Sequence, residues 1–548
     1  NALELSTTPP VFPGAVGFGT RTPAGRNGEI LRVTNLNASG PGSLKAALEA
    51  SNPRTIVFDV GGVIDLEGTY LRVKSPYVTV AGATAPSPGI TLIKGGVLVE
   101  SHDVLIQHIS VRPGDANGPG NELDGMSIGT GDVYNIVIDR CSFTWGIDEN
   151  ISVSSVPPYP HDVTISHCII AEGLSESVHH KGEHSKGTLV GHGSQRISMI
   201  GNLYAHNYER SPRMGVQTSV VIANNVIYNP GYTAVSAMGG ENETDGAQLV
   251  MQGNHCIKGV SSRWFIGMIS PEVGAIYVWE EDNQCEEMDG TPAPMVVDEG
   301  SSSYTGYIIP LAAPEIWPED FAPRPVAEVL YSVTSTAGSR AGNRAPTDQR
   351  IVASVLNRNG RIIDSQEEVG GYPAFSPVTA AASIPANPDA DLDANGYTEL
   401  EEWIHQKNLA LASAPGSYAK WAGVHFRDIY GDAAKEATEW GYLANPDADW
   451  APNWLERVFG SDPMQPTSRE RLFEMKRGQS GQRLEFSIES DVPDGAWDLL
   501  SSDNLSGWAS AKAELGKPQP EGSLLNHVLN FPSEAAGFIR FQYIPAND

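Results

Sequence analysis

The sequence predicts an all-β fold, a parallel β-helix in which the strands of each coil stack on those of the next coil. The first observation is a set of short apolar runs that alternate with period two and are separated by glycine-rich or polar turns. The second is their irregular spacing, because aligned apolar positions lie 27, 34, 23 and 29 residues apart. Stacked coils of unequal length explain this pattern, since one coil cannot bury its apolar face alone. The runs are TIVFDV (55–60), YVTVAG (77–82), DVLIQHISV (103–111), NIVIDRCSF (135–143), DVTISHCII (162–170), RISMIGNLY (196–204), SVVIANNVIY (219–228) and QLVMQGN (248–254).

A column of small or amide side chains is the third observation. Asparagine amides stacked in a column can hydrogen-bond from coil to coil. A β-sandwich is the alternative fold, but its hairpins would show two-residue turns at a spacing of about 8–12 residues. The column stands three residues after the aligned positions Ile138, Ile165, Met199, Ile222 and Met251, and it reads Cys141, Cys168, Asn202, Asn225 and Asn254.

The regions that flank the repeats have a different texture. Residues 39–53 show helical spacing of apolar side chains, which predicts a helix that caps the open end of the stack. From about residue 310 prolines and polar residues predict an irregular wrapping segment, and short alternating strands follow Pro466. We therefore expect a β-helix domain with its wrapping segment over 1–375, a mostly helical region over 376–466 and a small β-domain over 467–548.

The charge balance limits the class of partner. With 36 Lys and Arg against 66 Asp and Glu, the formal net charge is −30, so we expect no nucleic acid partner. An anionic substrate would need bound cations, and acidic surfaces of this kind commonly bind Ca²⁺. No apolar stretch reaches the about 18 residues of a membrane span. The chain starts at Asn1 without a signal peptide, so we expect an exported mature form.

Four cysteines are too widely spaced for a zinc site. Cys141 and Cys168 fall in the ladder column, where we expect them to pack as buried thiols. Cys256 and Cys285 lie 29 residues apart and leave a disulfide open. No base stands beside either pair, so neither is expected to be catalytic.

The first chemical constellation is acidic. Asp124 lies in the segment ELDG, while Asp148 and Glu149 lie in WGIDEN, one coil further along the chain. Carboxylate oxygens that converge from adjacent coils suit Ca²⁺, which accepts six to eight oxygen ligands in a flexible geometry. Acids that merely cap exposed turns are the alternative. The three carboxylates together favour a calcium site.

The second constellation is basic. Lys186 lies in HSKGTLVGH, and Arg210 and Arg213 lie in NYERSPRMG, next to the strands of neighbouring coils. A local concentration of cations opposite acids is unusual in a chain with this net charge. Ion pairs to Glu209 or Asp148 are the structural alternative to a binding role.

A second calcium motif follows the repeats. The pattern D-x-D-x-N-G-x-x-E-x-x-E has ligand-type residues at positions 1, 3, 5, 9 and 12 with a glycine at position 6, as in an EF-hand loop. A single loop of this quality predicts a structural calcium site and not a sensor. Its residues are Asp391, Asp393, Asn395, Tyr397 (through its carbonyl), Glu399 and Glu402.

Residues 14–260 resemble the pectate lyases of the parallel β-helix class. The resemblance lies in the opening GAVGFGTRTPAGRNGEILRVTNLNASGPGSLKAAL and in TIVFDVGGVIDL, VTVAGATAPSPGI and IQHISVRPGD. NIVIDRCSFTWGIDEN, HSKGTLVGH and RSPRMG are similar to the family's calcium, lysine and arginine elements, and RIVASVLNRNGRIIDSQEEVGGYP resembles a closing segment of bacterial members. The resemblance implies a right-handed β-helix and a secreted, calcium-dependent polysaccharide lyase.

The resemblance also implies roles for single residues. Arg210 would be the catalytic base, with an alkaline pH optimum as the consequence of its high pKa. Lys186 would bind the substrate at the catalytic centre, and Arg213 and His184 would add substrate contacts. The acids Asp124, Asp148 and Glu149 would hold the catalytic calcium.

The chain departs from the family pattern at two places, and other functions stay open. Asp139 is followed by Arg140 where the family has a histidine, and Gly215 occupies the place of a second arginine. We expect a monomer that cleaves polygalacturonate or a related uronate polymer into 4,5-unsaturated oligosaccharides. A lyase for another acidic polysaccharide is one alternative. A polygalacturonase-type hydrolase, suggested by GHGS at 191–194, and a non-catalytic β-helix binding protein are the others.

Overall fold

A computed structural model describes residues 9–296, 304–319 and 321–412, together with the backbone of seven strands between residues 473 and 543. The chain forms two compact units, residues 1–412 and 413–548. Within the described part of the first unit, three sheets of stacked strands form a parallel β-helix. The predicted all-β solenoid is confirmed.

The first sheet has eleven strands among the described residues, all parallel and ordered as in the sequence. Its strands are Glu29–Val33, Arg54–Phe58, Val78–Ala81, Val104–Gln107, Tyr134–Asp139, His161–Ser166, Gln195–Ile200, Ser219–Ala223, Gln248–Gln252, Ala275–Glu281 and Tyr307–Pro310.

The second sheet has eight parallel strands in the described ranges and carries the candidate site. Its strands are Tyr70–Val73, Gly96–Val99, Met126–Ile128, Glu149–Val153, Lys186–Val190, Arg213–Met214, Val235–Met238 and Ile269–Val273.

The third sheet has ten strands in the part of the chain that is described, and the last of them, Val378–Thr379, joins antiparallel to the first. The parallel strands are Val60–Asp65, Ile90–Ile93, Ile109–Arg112, Ser142–Thr144, Ile169–Ala171, Leu203–Ala205, Val226–Tyr228, His255–Ile257 and Gln284–Glu286.

The predicted register is the observed one. The aligned positions Ile138, Ile165, Met199, Ile222 and Met251 pair in turn across the first sheet. Their side chains line the interior of the coils, where a continuous apolar core runs the length of the described stack. The period-two runs therefore fix both the strands and the face that each strand buries.

The asparagine column forms a buried hydrogen-bonded ladder. The Asn202 amide donates to Asn225 Oδ1 (3.0 Å), Asn225 donates to Asn254 Oδ1 (3.0 Å), and Asn254 donates to Asn283 Oδ1 (2.8 Å). Asn283 extends the predicted column by one coil. Each amide also donates to a main-chain carbonyl of the preceding coil, so turn and strand are held together.

All four cysteines are free and buried. Cys141 and Cys168 stack in the column as predicted, with the Cys141 main-chain N–H 3.4 Å from Cys168 Sγ. Cys256 and Cys285 face each other in register on adjacent strands of the third sheet. The disulfide that the sequence left open between this second pair is absent in the described structure, and packing accounts for both pairs.

The predicted capping helix is helix α1, Leu44–Leu48. Ser43 is its N-cap and accepts a hydrogen bond from the Ala46 N–H, while Leu44, Ala47 and Leu48 are buried in the core at the end of the stack. Short 3₁₀ helices occupy Gly82–Thr84, Glu243–Asp245, Ala341–Asn343 and Gln366–Val369.

The sequence predicted an irregular segment after residue 310, but the structure shows two helices there, which corrects this prediction. The segment contains helices α2 (Val326–Thr336) and α3 (Pro346–Leu356), because apolar side chains at helical spacing bury against the third sheet. Arg112 of that sheet donates to Asp348 of helix α3 at 2.8 Å, and both side chains are fully buried. Polar residues and prolines between the helices hid this periodicity.

Helix α4 (Glu399–Leu411) packs on the β-helix. Leu400 and Ile404 form an apolar cluster with Ala81, and Asn408 donates to Gln107 Oε1 at 2.9 Å. Thr398 is the N-cap of this helix and makes a reciprocal capping box with Glu401. The domain boundaries at 375 and 466 stay predictions, and the second one lies outside the described residues.

In the second unit the described strands are antiparallel. One sheet contains Phe473–Gly478, Gly481–Glu489, Leu524–Pro532 and Gln519–Glu521, and the other contains Ala509–Ser510, Trp497–Ser502 and Phe538–Tyr543. These strands lie in the region where the sequence predicted short alternating strands after Pro466. No helix in the described ranges is long and apolar enough to cross a membrane.

Candidate active site

The three predicted acids converge at one end of adjacent strands of the second sheet. Asp124 precedes strand Met126–Ile128, and Glu149 begins the neighbouring strand Glu149–Val153. Parallel strands in register bring the same ends together, so the two segments meet. One carboxylate oxygen from each of Asp124, Asp148 and Glu149 lies within 4.8 Å of the others.

Asp124 is held in place by three short contacts. Its carboxylate accepts hydrogen bonds from the Glu149 N–H (3.0 Å) and from Ser127 Oγ, and its own N–H donates to Tyr70 Oη at 2.9 Å. Burial raises the pKa of Asp124 to about 8, and the nearby negative charge of Asp148 adds to the rise. A buried carboxyl beside a second one favours the binding of a cation.

Asp148 is more exposed and is surrounded by histidines. Its Oδ1 accepts from His184 Nε2 at 2.6 Å and lies 3.9 Å from His179 Nε2. Burial alone would raise the pKa of Asp148, but the hydrogen bond and charge of His184 outweigh this effect and lower it. His184, which the sequence predicted to contact the substrate, is therefore hydrogen-bonded to Asp148, a candidate calcium ligand.

Arg210 closes the acidic cluster. Its Nη1 atom is in close contact with Glu149 Oε1, and its Nε atom is buried without a hydrogen-bond partner in the described structure. The residue has φ +61°, a left-handed backbone conformation that is uncommon for a residue other than glycine. Burial lowers the pKa of Arg210, and the positive charge of Arg213 lowers it further.

Lys186 sits opposite Glu149 in the pairing of adjacent strands. Its side chain is buried, and its Nζ atom lies 2.6 Å from Glu209 Oε2 and 5.7 Å from the centre of the Tyr208 ring. The ion pair with Glu209 that the sequence offered as the structural alternative is thus present. It holds the ammonium group at the edge of the acidic cluster.

Arg213 forms a two-pronged ion pair with Glu272. Its Nε and Nη2 atoms lie 2.7 Å from the two Glu272 oxygens, and this pairing raises the pKa of Arg213. Glu272 belongs to the coil two steps further along the second sheet, since strand Arg213–Met214 pairs with Val235–Met238 and that strand with Ile269–Val273. Arg213 therefore stiffens the site next to Arg210.

Several site residues were missed by the sequence analysis. They are His179, Glu272 and Tyr70. Glu272 and Tyr70 contact partners two coils away, and His179 contacts Asp148 of the adjacent coil. The signal available was the run of histidines His179 and His180 shortly before His184, whose three rings stack with His179 in the middle.

The donor set fits a hard cation. The three carboxylates offer oxygen atoms only, one of them from a buried group whose pKa is raised, and flexible oxygen sites are what Ca²⁺ prefers. Three carboxylates alone supply fewer ligands than the six to eight that Ca²⁺ accepts.

Comparison with known proteins identifies the family. No protein-family model matches the chain. A probable pectate lyase C from Aspergillus flavus is 31% identical over 445 residues, which cover 76% of this chain and 97% of that protein. The corresponding protein of Aspergillus oryzae has the same identity and coverage, and that of Emericella nidulans is 33% identical over 66% of this chain and 79% of its own. This chain belongs to the pectate lyase family.

Solved structures are similar to this chain at lower identity. The major allergen of cedar pollen, jun a 1, matches with a TM-score of 0.44 and 16% identity, covering 58% of this chain and 91% of the allergen. A pectate lyase bound to a hexasaccharide matches with a TM-score of 0.43 and 14% identity, covering 61% of this chain and 98% of that chain. The resemblance predicted from the motifs, and with it a polysaccharide lyase, is confirmed by the curated relatives.

The second arginine of the pectate lyase pattern has no room at Gly215. A Cβ atom at this position would lie 2.6 Å from His192 Nδ1 and 2.8 Å from the His192 main-chain nitrogen. His192 belongs to the GHGS segment, and its Nδ1 accepts a hydrogen bond from the Val216 N–H at 3.0 Å. The glycine of one motif therefore packs closely against the histidine of the other, on the neighbouring coil.

The other departure from the family pattern is also accommodated. Asp139 is buried and accepts hydrogen bonds from Gln107 (2.9 Å), Ser166 (2.9 Å) and His167 (3.2 Å). Burial would raise the pKa of Asp139, but these bonds and the charge of Arg140 lower it. His167, one coil on, supplies an imidazole contact to Asp139 although the next residue in the chain is an arginine.

The EF-hand-like loop is folded on itself. The Asn395 N–H lies 3.1 Å from Asp391 Oδ1 and 3.2 Å from Asp393 Oδ1, and the Asn395 amide donates to Glu402 Oε1 at 2.7 Å. Gly396 has φ +93°, the left-handed conformation for which this position of the loop needs glycine. Glu399 already belongs to helix α4, and the Tyr397 ring packs 5.7 Å from the Arg26 guanidinium.

Proposed function

We propose that this member of the pectate lyase family is a secreted enzyme that cleaves pectate by calcium-dependent β-elimination. The observation that carries the proposal is the contact of the Arg210 guanidinium with Glu149 inside a cluster of three carboxylates. A strong base and a set of cation ligands are the two parts that proton removal beside an ionised carboxylate requires. Pectate is the substrate named for the curated relatives.

Asp124, Asp148 and Glu149 would hold the calcium ion. When bound, Ca²⁺ neutralises the carboxylate of the uronate and favours loss of the proton on the adjacent carbon. His184 keeps Asp148 oriented through its 2.6 Å hydrogen bond, and Ser127 does the same for Asp124. These second contacts position the ligands before any substrate arrives.

Arg210 would remove the proton from C5 of the uronate. The proton on C5 is transferred to the guanidine nitrogen, and the electron pair of the C5–H bond forms the C4–C5 double bond. The glycosidic C4–O bond breaks, and its electron pair stays on the leaving oxygen. Burial and the charge of Arg213 both lower the pKa of Arg210, which increases the fraction able to act as a base. The alkaline optimum expected from an arginine base stays a prediction.

Lys186 would contact the carboxylate of the bound polymer from the neighbouring coil. Glu209 holds its Nζ atom at 2.6 Å, and the Tyr208 ring lies beside it. Arg213 is held by Glu272. Its main roles in this proposal are to keep the site rigid and to lower the pKa of Arg210 through its positive charge. Contact with the substrate is its secondary role.

A hydrolase of the polygalacturonase type is the second candidate. Inverting hydrolases keep their two carboxyl groups about 6.5–9.5 Å apart to admit a water molecule. One oxygen from each of the three carboxylates lies within 4.8 Å of the others, and His192 Nδ1 of the GHGS segment already accepts a hydrogen bond from the Val216 N–H. This spacing favours cation binding over hydrolysis.

The loop Asp391–Glu402 supports a second proposal, a structural calcium ion. Its ligand-type residues follow the EF-hand spacing, and the loop precedes a helix that packs on the β-helix. Such an ion would fix helix α4 against the strands Val78–Ala81 and Val104–Gln107.

The test is a spectroscopic assay on polygalacturonate. The conjugated double bond of the unsaturated product absorbs in the ultraviolet, whereas hydrolysis yields reducing ends without that absorbance. We expect absorbance to rise with Ca²⁺, to stop with EDTA and to fall at least about 1,000-fold in Arg210→Ala, on the scale of losing a key catalytic group. Arg196→Ala is the control, because Arg196 pairs with Asp162 on the first sheet, away from the site. The appearance of reducing ends without ultraviolet absorbance would contradict the lyase proposal and support hydrolysis instead.

A further inference from the structure

We propose that a ledge beside the active site binds a further uronate residue of the polymer at its outer end, two coils away from Arg210. The ledge consists of Tyr208, Tyr232, Arg263, Trp264 and Phe265. This inference rests on the proposed lyase function and extends it to the length of substrate that the enzyme prefers.

The ledge is continuous with the site. Tyr208 lies beside Lys186 at 5.7 Å and is itself the hydrogen-bond acceptor for Arg263, whose Nη2 atom is 2.9 Å from Tyr208 Oη. The Arg263 guanidinium lies 5.8 Å from the centre of the Tyr208 ring and 5.1 Å from that of Tyr232. A line of contacts therefore runs from the catalytic lysine to an arginine on an outer coil.

The outer end of the ledge is exposed and apolar. Trp264 is 76% exposed, although large aromatic side chains are usually buried. Its ring meets Phe265 edge-on at 5.7 Å, and Phe265 meets Tyr232 in the same way at 5.5 Å. The indole is thus held by Phe265 while most of its surface is exposed, an arrangement that suits stacking on a sugar ring.

Charge distinguishes Arg263 from the other cations of the site. Lys186, Arg210 and Arg213 each form an ion pair with a glutamate. Among the described residues, no carboxylate forms an ion pair with Arg263, and its guanidinium is exposed. In a chain with a net charge of −30, an exposed guanidinium next to the site with no ion pair among the described residues suits the binding of a substrate carboxylate.

The spacing of the coils fits a polysaccharide. Arg210, Tyr232 and Trp264 stand in the turns that lead into successive strands of the second sheet, Arg213–Met214, Val235–Met238 and Ile269–Val273. Neighbouring strands lie about 4.8 Å apart, so the turn of Trp264 is about 10 Å from that of Arg210. A linked pyranose advances by nearly one such step, which places the ledge two sugar residues from the proton that Arg210 removes.

The occupant we assign is a carboxylate-bearing sugar of the same chain that is being cut. A neutral sugar would use the Trp264 face but leave the Arg263 guanidinium without a partner. A protein partner would have to bind at the mouth of the site and would block the substrate.

The experiment compares the variants Arg263→Ala and Trp264→Ala with the native protein on oligogalacturonates of three and six residues. We expect the ratio of kcat/KM on the hexamer to that on the trimer to fall about tenfold in either variant, while kcat/KM on the trimer changes less than twofold. Arg263→Lys should restore part of the ratio through its charge. Val260→Ala is the matched control, since Val260 is 60% exposed near the start of the same turn.

An equilibrium measurement separates binding from turnover. In the background Arg210→Lys, calorimetry with the hexamer should show affinity about tenfold weaker after Arg263→Ala and unchanged after Val260→Ala. If the enzyme cleaves both oligomers but the ratio and the affinity are the same in all variants, the ledge is not a subsite and the lyase proposal stands. If native protein neither binds nor cleaves any oligogalacturonate, both proposals fall.

Discussion

The asparagine ladder provides the sharpest prediction about stability, and Asn225→Ala is the perturbation. Asn225 is fully buried and makes five side-chain hydrogen bonds in the described structure. It donates to Met199 O (2.9 Å), Ala223 O (3.1 Å) and Asn254 Oδ1 (3.0 Å), and it accepts from the Asn202 main-chain N–H (2.8 Å) and amide (3.0 Å).

The magnitude follows from the groups that would lose their partners. Alanine leaves the Asn202 N–H and one amide hydrogen of Asn202 buried without an acceptor. Each buried polar group left unsatisfied costs about 1–3 kcal/mol, and the side chain also leaves a small cavity. We therefore expect Asn225→Ala to lower the free energy of unfolding by about 3–5 kcal/mol.

The assay is urea unfolding followed by circular dichroism, with Asn283→Ala as the matched control. Asn283 accepts the same pair of bonds from Asn254, but it is only half-buried at the last coil of the ladder, so water can replace the lost contacts. We expect the control to lose about 1 kcal/mol. Equal losses in both variants, or a loss below about 1 kcal/mol for Asn225→Ala, would refute the argument that burial makes the ladder costly to break.

Two further predictions concern pH and calcium. Burial lowers the pKa of His206 to about 4, so below pH 6.5 the unfolded chain binds a proton that the folded one does not. Stability is present above pH 6.5 and is lost as the pH falls toward 4. Between pH 7 and 4.5 the free energy of unfolding, measured by urea titration, should fall by roughly 2–3 kcal/mol less in His206→Gln than in the native protein. The same pH dependence in both proteins would contradict the role given to His206. In the loop, Asp391→Asn with Glu402→Gln should remove one calcium per chain in calorimetry, whereas Asp389→Asn should not. Unchanged stoichiometry would exclude the loop site.

The stack of coils was predictable because its signal is periodic. Each strand of the first sheet repeats an apolar alternation, and pairing Ile138 with Ile165 and Met199 requires only that buried faces coincide. The amide column followed from the same alignment. Helices α2 and α3 were not predicted, since their apolar faces are short and lie between prolines and polar residues.

The acidic cluster was predictable from spacing, but the ion pairs around it were not. Asp124 and Glu149 precede or begin adjacent strands, so a one-dimensional alignment brings them together. The partners of Lys186 and Arg213 depend on how the turns are shaped, and Arg210 itself has a left-handed backbone. No repeat in the sequence encodes these turns, whose lengths change from coil to coil.

The segment after the last coil changes how the β-helix resists unfolding. It starts at the C-terminal coils, where Val326 N–H bonds to Asp282 (2.8 Å) and Arg358 pairs with Glu286 (2.5 Å). It ends on the first coils, where Val378–Thr379 joins the third sheet and the Ala382 N–H bonds to Asp59 (2.7 Å).

A stack of repeats without such a segment can fray from either end, because each coil contacts only its neighbours. Here the strand Val378–Thr379 pairs along the strand Val60–Asp65 of the first coil and is connected through helices α2 and α3 to the last coils. Opening one end therefore loosens a tether that also anchors the other end. The segment thus links the first and last coils, so neither end should unfold without weakening the other. We expect the β-helix to unfold in one cooperative transition, whereas a solenoid without such a segment would unfold coil by coil from its ends.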